Sequence, residues 1–456
     1  MRSRQKTWWG YLIVVAVALG LGGIGTLVVG RDYSDLAMQK EPFARLSYVP
    51  SFDPLEDVTL GLPPNSGNVI GGQPDKAIRA IEVLPTQVIM LVGGKAVRSI
   101  DIPAPNTLAD LVRVVGDPAW VSRAGRTVTL NAAVIVQNGS AMIIAAPQTS
   151  EVVLSVRRGV FLAASSARLA ISGVYVHASD SATPATLSRP EQEDARPFIV
   201  AVGATATMTV SNSTFRYLGR DWNSSYGLSW SKGATGSVSN SLFEHNFIGV
   251  YSNAAVGLRV SGSTFLDNSL YGIDPHSASK NLVIENNLTA RNGRHGIIFS
   301  DHVVNGLVRN NVSEHNGLNG IMMDEGSTQN RIEHNTVTGN GSDGIVLASS
   351  GDNTVTGNTI SGNRVGLSIR GPSSGLKVSG NTLIGNTMAA QGQSLSSSNY
   401  AEGNGGQWAG ARIRAIWTID LAVLLALVAL TWTSNRRSRR RGRRGVSGAV
   451  QGLGAL

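Results

Sequence analysis

Short alternations of apolar and polar residues, bounded by Asn and Gly, recur through the second half of the chain. Gly-Ile-Met-Met-Asp at 320–324 and Asn-Thr-Val-Thr-Gly at 335–339 are examples, too short for helices and rich in strand formers. Gly-aliphatic pairs at Gly227-Leu228, Gly249-Val250, Gly272-Ile273, Gly296-Ile297, Gly320-Ile321, Gly344-Ile345 and Gly366-Leu367 are spaced by 22, 23, 24, 24, 24 and 22 residues. Asparagine keeps the same metre. Asn246, Asn268, Asn292, Asn316, Asn340, Asn363 and Asn386 form one column, and Asn287, Asn311, Asn335, Asn358 and Asn381 form another. Each column marks a turn, because Asn tolerates the left-handed backbone and its amide can bond to its counterpart one coil away.

A unit of this size cannot bury its apolar face alone, so the repeats must stack, with neighbouring strands about 4.8 Å apart. The leucine spacing of a leucine-rich repeat is absent. The expected fold class is all-β, a right-handed parallel β-helix. Weaker patterning from Thr127 to His177 places its first coils near 127, followed by a polar excursion over 179–197. Just before it, TLADLVRVVG reads as a short helix capped by Asn106, with Leu108, Leu111 and Val115 on one side and a role in covering the terminal coil.

Two longer apolar runs flank the repeats. Residues 8–30 carry no charge over 23 positions, enough to cross about 30 Å of hydrocarbon as a helix, with a cleaved signal peptide as the alternative reading. Residues 415–433 form a second run, with Asp420 about one turn inside its start. The fold is thus expected to carry one N-terminal and one C-terminal transmembrane α-helix. The expected organisation is a cytoplasmic N-terminus (1–7), an anchor (8–30), an extracytoplasmic region without trusted periodicity (31–105), a capping helix (106–126), the β-helix (127–386), a flexible linker (387–414), the second span (415–433) and an Arg-rich tail (434–456).

Charge supports that topology. The net charge of +9 resides at the ends: Arg2, Arg4 and Lys6 on one side, and seven arginines between Arg436 and Arg444 on the other. Without those ten, 29 basic residues face 30 acidic ones. Positive flanks put both termini in the cytoplasm and the β-helix outside a two-pass plasma membrane protein. Topology and anionic lipid account for the arginines, so nucleic acid is not an expected partner. With no cysteine among 456 residues, disulfide frameworks and Cys-ligated zinc are excluded.

Alternation also sorts the faces. Ile273, Ile297, Ile321, Ile345 and Leu367 point inward, as do Phe299, Met323, Leu347 and Ile369. One outward column reads Ser231, Asn253, His276, Ser300, Asp324, Ala348 and Arg370; its neighbour reads Ser229, Tyr251, Asp274, Ile298, Met322, Val346 and Ser368. Such strips suit an extended polymer. Tyr-Gly-Ile-Asp-Pro-His at 271–276 interrupts the repeat, since Pro deprives a central ladder of a hydrogen bond. His276 is a candidate proton acceptor and Asp274, two residues earlier on the same face, a candidate to orient it or raise its basicity. The alternative is a bulge at Pro275 with His276 on plain surface. No metal site and no cofactor are expected from ligand spacing or phosphate-loop motifs, although Asp301, Asp324 and Glu325 on adjacent coils are a lesser candidate for Ca²⁺.

YGIDPH at 271–276, HGIIFS at 295–300, NGIMMDEGSTQNRIEHN at 319–335, DGIVLASSGDNTVTGN at 343–358 and SYGLSW at 225–230 resemble the periplasmic mannuronan C5-epimerases, with their carbohydrate-binding and sugar-hydrolase repeats, over roughly 125–386. The resemblance implies an exopolysaccharide-modifying enzyme in which His276 abstracts the C5 proton of a uronic acid unit, with reprotonation from the other face. Epimerisation is favoured over lyase chemistry. A non-catalytic binding or guiding component of a membrane polysaccharide synthase and export complex is the alternative. Two departures stand out: Ser277 occupies the place of the family's Asp after DPH, and Ser300-Asp301-His302 replaces a stretch where the family has an arginine. Lys232 or Arg294 is the expected substitute cation and Tyr251 the expected proton donor. Ser231, Asn253, Ser277, Ser300, Asp301, His302 and Asp324 complete the expected binding strip for an acidic polysaccharide.

Overall fold

The computed structural model describes residues 79–156, 160–178, 196–221, 225–392, 399–402 and 404. Both expected membrane spans, 8–30 and 415–433, and residues 179–195 of the polar excursion lie outside them. Among the described residues no helix is long and apolar enough to cross a membrane.

The described chain is an all-β solenoid of the right-handed type with about 10 turns. Three sheets run along it, of 14, 10 and 13 strands. The first contains Leu228–Ser231, Val250–Asn253, Ile273–His276, Ile297–Phe299, Ile321–Met323, Asp343–Ala348 and Val365–Arg370 as consecutive parallel neighbours. All nine residues assigned inward lie in the central apolar core. On the third sheet Phe215, Phe243 and Phe265 stack with ring centroids 5.0 and 4.8 Å apart. The glycine column faces this layer. A Cβ at Gly249, Gly320, Gly344 or Gly366 would run into Phe265, Val337, Ile360 or Leu383, so close approach and not a special backbone angle excludes other residues there.

The asparagine columns are buried ladders. In the first, the backbone N–H and Nδ2 of each Asn donate to Oδ1 of its counterpart in the next coil, as from Asn292 to Asn316 at 3.1 and 2.9 Å and from Asn316 to Asn340 at 3.0 Å each. In the second column Ser213, Ser241 and Ser263 carry the same role upstream, until Ser263 N–H donates to Asn287 Oδ1 at 3.0 Å. One expectation is corrected. The left-handed position is not the ladder Asn but the residue before it: Asp267, Asn286, Arg291, Asn310, His315 and His334 all have φ between 52° and 57°. This places His245, His315 and His334 at turns, since His245 (φ 57°) also precedes a ladder residue.

The N-terminal end is closed by three devices, one per sheet. Residues 79–101, where no periodicity was legible, form a three-stranded antiparallel meander whose strand Arg79–Leu84 pairs in parallel with Ala133–Gln137 of the first sheet. Val121–Ala124 pairs antiparallel with Thr127–Leu130 at the edge of the third. At the edge of the second, Ile143 N–H donates to Asn106 O at 2.7 Å. There the helix Leu108–Val115 buries Leu108, Leu111 and Val115, and its N-cap is Thr107, not Asn106, with Thr107 Oγ1 accepting from Asp110 N–H at 3.1 Å. At the other end the coils run beyond 386: Met388–Gln391 and Tyr400–Glu402 add to the sheets, and Asn399 and Asn404 extend both ladders into the stretch expected as linker.

Replacing Asn316 by Ala strands the Asn292 amide and N–H donors and the Thr289 carbonyl inside the core. Each buried group left unpaired costs roughly 1–3 kcal/mol, so a loss of about 3 kcal/mol or more is expected in urea or thermal unfolding, against little change for Thr336→Ala on the exposed side. Equal effects of the two substitutions would refute the ladder's energetic role.

Candidate active site

The outward columns are in true register. Tyr251 lies opposite Asp274, Ser252 opposite Pro275 and Asn253 opposite His276; Ser231 lies opposite Asn253. On the far side Ile273 lies opposite Ile297 and His276 opposite Ser300; Asp274 and Pro275 are not bridged, although Pro275 O still accepts from Ser300 N–H at 3.0 Å. The offset is the same at both points, so no residue is inserted: Pro275 opens a gap in the ladder without making a bulge.

The two columns differ in exposure. Those holding Tyr251, Asp274, Ile298, Met322 and Val346 are buried, because Tyr226, Phe247, Ile248, Leu270 and Tyr271 from the preceding loops and coils pack against their outer face. The column holding Asn253, His276 and Asp324 stays partly open, with Ser231 and Ser300 buried and Arg370 exposed. Tyr251 packs edge-on against Tyr226 at 4.5 Å between centroids, and its ring centre is 6.0 Å from that of His276. Asn253 Nδ2 donates to the Tyr251 hydroxyl at 3.4 Å.

Asp274 does not orient His276. It is 3% exposed, its Oδ1 is buried without any hydrogen-bond partner, and burial raises its carboxyl well above the ordinary range. The groups that contact the imidazole come instead from the adjoining turn and the next coil: His276 Nδ1 is 2.6 Å from Ser277 Oγ, which donates to Asp301 Oδ2 at 3.0 Å. Asp301 Oδ1 is 2.7 Å from His302 Nδ1. Burial lowers the basicity of His276, opposed by the charge of Asp301. Burial works to raise Asp301, but hydrogen bonds from His302 and Ser277 and the two imidazoles' charges hold it below the usual carboxylate range. Burial, with Tyr226 and Asp274 adding to it, holds the Tyr251 phenol well above its ordinary value.

The remaining expected residues are more dispersed. Lys232 is exposed and takes the turn position of Ser277 two coils earlier, with Ala254 between them. Arg294 lies on the loop leading into Ile297–Phe299 beside His295. His302 is solvent-facing, with 72% of its side chain exposed, and Asp324 accepts from Glu325 N–H at 2.9 Å. The sequence reading missed Tyr226 and a buried network one step away. His295 stacks on Tyr271 at 5.2 Å and accepts from Asn319 N–H at 3.2 Å; Asn319 Oδ1 accepts from Asp343 N–H, and the fully buried Asp343 carboxylate pairs with Arg364 at 2.6 Å and with Arg370. The 24-residue period is the signal that links these positions.

Against this geometry stand the comparisons. Over 170 residues the chain is 34% identical to the mannuronan C5-epimerase of Pseudomonas aeruginosa, a match covering 34% of this chain and 31% of that protein. The mannuronan C5-epimerase AlgG of Azotobacter vinelandii is 35% identical over 121 residues, 24% of this chain and 23% of that one. The crystal structure of the periplasmic alginate epimerase AlgG superposes with a TM-score of 0.58 at 28% identity, covering 61% of this chain and 68% of that chain. The chain is an alginate-epimerase-like parallel β-helix protein. The matched stretch spans about a third of the curated Pseudomonas aeruginosa relative.

A family profile described as periplasmic copper-binding protein (NosD) matches residues 208–408. The described residues of this stretch do not fit a copper centre. Among the described residues no three His, Cys, Asp or Glu side chains gather as a metal-binding group, Asp301, Asp324 and Glu325 included. The chain lacks cysteine, and Met322 is buried with its sulfur accepting from Asn319 Nδ2 at 3.5 Å.

Two predictions follow from the buried titratable groups. Unfolded Asp ionises near pH 3.9, whereas folded Asp274 stays protonated well above that, so folding is penalised as pH rises past about 4. Asp274→Asn is therefore expected to raise the unfolding midpoint at pH 7 relative to pH 4; an unchanged or lowered difference contradicts the burial argument. His295 is held down to about 3 by burial, with Arg294 and Arg370 adding to it, against about 6.5 unfolded. The unfolded chain then binds the extra proton between those values, and stability drains away as pH falls from about 6.5 towards 3. His295→Phe should remove that part of the pH slope in denaturant titrations.

Proposed function

We propose that the protein is an extracytoplasmic, epimerase-like enzyme that inverts C5 of uronic acid units within an acidic exopolysaccharide. One observation carries the reading: His276 is a partly open imidazole kept neutral by burial, set beside the Tyr251 ring on the outward strip where Pro275 opens the ladder. The similarity of the chain, over 170 residues, to a mannuronan C5-epimerase supports it.

The chemistry divides among these side chains. A proton beside a carboxylate is weakly acidic, and its removal makes a dianion that must be stabilised as it forms. His276 takes the C5 proton. Asp274, protonated by burial and lacking any partner within the protein, donates to the substrate carboxylate, and Arg294 contributes positive charge nearby. Tyr251, whose phenol keeps its proton, donates it to the opposite face, so one C–H bond breaks and one forms, and the imidazolium and phenolate left behind are reset by proton exchange with solvent. Lys232, Ser231, Asn253, Ser300 and Asp324 hold the polymer along the strip. The two apolar runs would tether the β-helix to the plasma membrane beside a polysaccharide synthase and export complex.

Elimination begins from the same anion, and a non-catalytic guiding role is favoured by Ser277 in place of the family's Asp. One experiment separates the three. The full chain is incubated with polymannuronate in D₂O and the polymer followed by NMR and ultraviolet absorbance. Deuterium at C5 with new epimer signals is expected, abolished in His276→Ala; unsaturated ends would identify a lyase, and binding without exchange would identify a guiding protein.

A further inference from the structure

We infer that Asp301, reaching across one coil through Ser277, is the positioning residue that fixes His276 as its Nδ1–H tautomer and leaves Nε2 as the atom that accepts the proton. This rests on His276 being the base. The argument is one of hydrogen-bond inventory. Ser277 has a single hydroxyl proton and two acceptor lone pairs. An ionised carboxylate only accepts, so the contact from Ser277 Oγ to Asp301 Oδ2 at 3.0 Å uses that proton. The second contact of the same oxygen, 2.6 Å from His276 Nδ1, then requires the ring to donate. A neutral imidazole has one N–H, so Nε2 carries the lone pair.

The fold sets this geometry. Ser277 and Ala278 in one coil, and Asp301 and His302 in the next, all have φ between 41° and 63°, the same left-handed turn stacked twice. Backbone bonds from Ser277 N–H to Ser300 O at 3.1 Å and from Ala278 N–H to Asp301 O at 2.8 Å lock the two turns together. His302 occupies the other carboxylate oxygen and keeps Asp301 from rotating away. Asp274, the carboxyl nearest in sequence, makes no hydrogen bond to the ring. Ser277 thus extends the imidazole to a carboxylate one coil further on. When the substrate proton moves to Nε2, the positive charge that develops is compensated through Ser277 by Asp301, and no other bond is broken.

The test is ¹⁵N–¹H correlation NMR of the histidine-labelled full chain, with His276 assigned by its loss in His276→Gln. At neutral pH the wild type is expected to show a protonated Nδ1 and an unprotonated Nε2. In Ser277→Ala and Asp301→Asn the tautomer should relax towards the Nε2–H form, and with polymannuronate kcat should fall by about 10² or more, by analogy with loss of an orienting carboxylate, with KM little changed. Ser277→Asp combined with Asp301→Asn moves the carboxylate beside the ring and should restore most of the turnover. An Nε2–H wild-type ring, or one unaltered in both single variants, overturns the assignment. A wild type without exchange on any polyuronate defeats the epimerase reading instead, while the spectra still decide the relay.

Discussion

Every coil of this molecule satisfies its backbone only through the coils on either side, and that reciprocity dictates almost everything else. A parallel ladder tolerates no drift in register when its inner face is buried, since a slip of one residue would turn each side chain to the wrong side. The asparagine columns enforce the register from within. Each amide uses both its donor and acceptor on neighbours above and below, and a coil that gained or lost a residue in the step from one of its two ladder asparagines to the other, as from Asn335 to Asn340, would leave buried amides unpaired. The repeat length varies only between the fixed points, where turns can absorb a residue.

Such a structure was largely legible because period, glycine column and asparagine columns all record the same contact, the one between residue i and its counterpart a coil away. Legibility failed where that contact changes character. Residues 79–101 pair antiparallel with each other, and a hairpin carries no echo of the solenoid's metre. The last coil hides for another reason. Asn399 and Asn404 follow their predecessors by 18 residues, and the Ser- and Gly-rich composition around them resembles a tether, yet two asparagines at the right turns suffice to continue both ladders.

At the site the column map was readable and the partnership was not. Asp274 and His276 share a face of one strand, and the local pattern suggested that they act together. Two residues along a strand are about 6.6 Å apart, whereas the next coil is about 4.8 Å away. In a β-helix the cross-coil neighbour is the nearer one, so Asp301, 24 positions later, reaches the imidazole's hydroxyl partner while Asp274 does not. Turn geometry adds to this: the left-handed backbone at Ser277 and Asp301 turns both side chains toward the strip.

The contrast between core and site is itself an argument for function. Throughout the interior the ladder amides meet partners at ordinary distances, with serines continuing the pattern where asparagines stop. A carboxyl buried without a partner is costly in such a setting, because desolvation is not repaid by any hydrogen bond. Asp274 is one such group among the described residues, and it occurs beside Pro275 in the first sheet's ladder and next to a phenol held in its protonated form. Two local departures fall at adjacent residues, Asp274 on the outward strip and Pro275 in the inward column, and on the proposed reading a ligand supplies the missing partner. The solenoid can bear that cost because its stability is distributed over many equivalent interfaces, each coil contributing its own share.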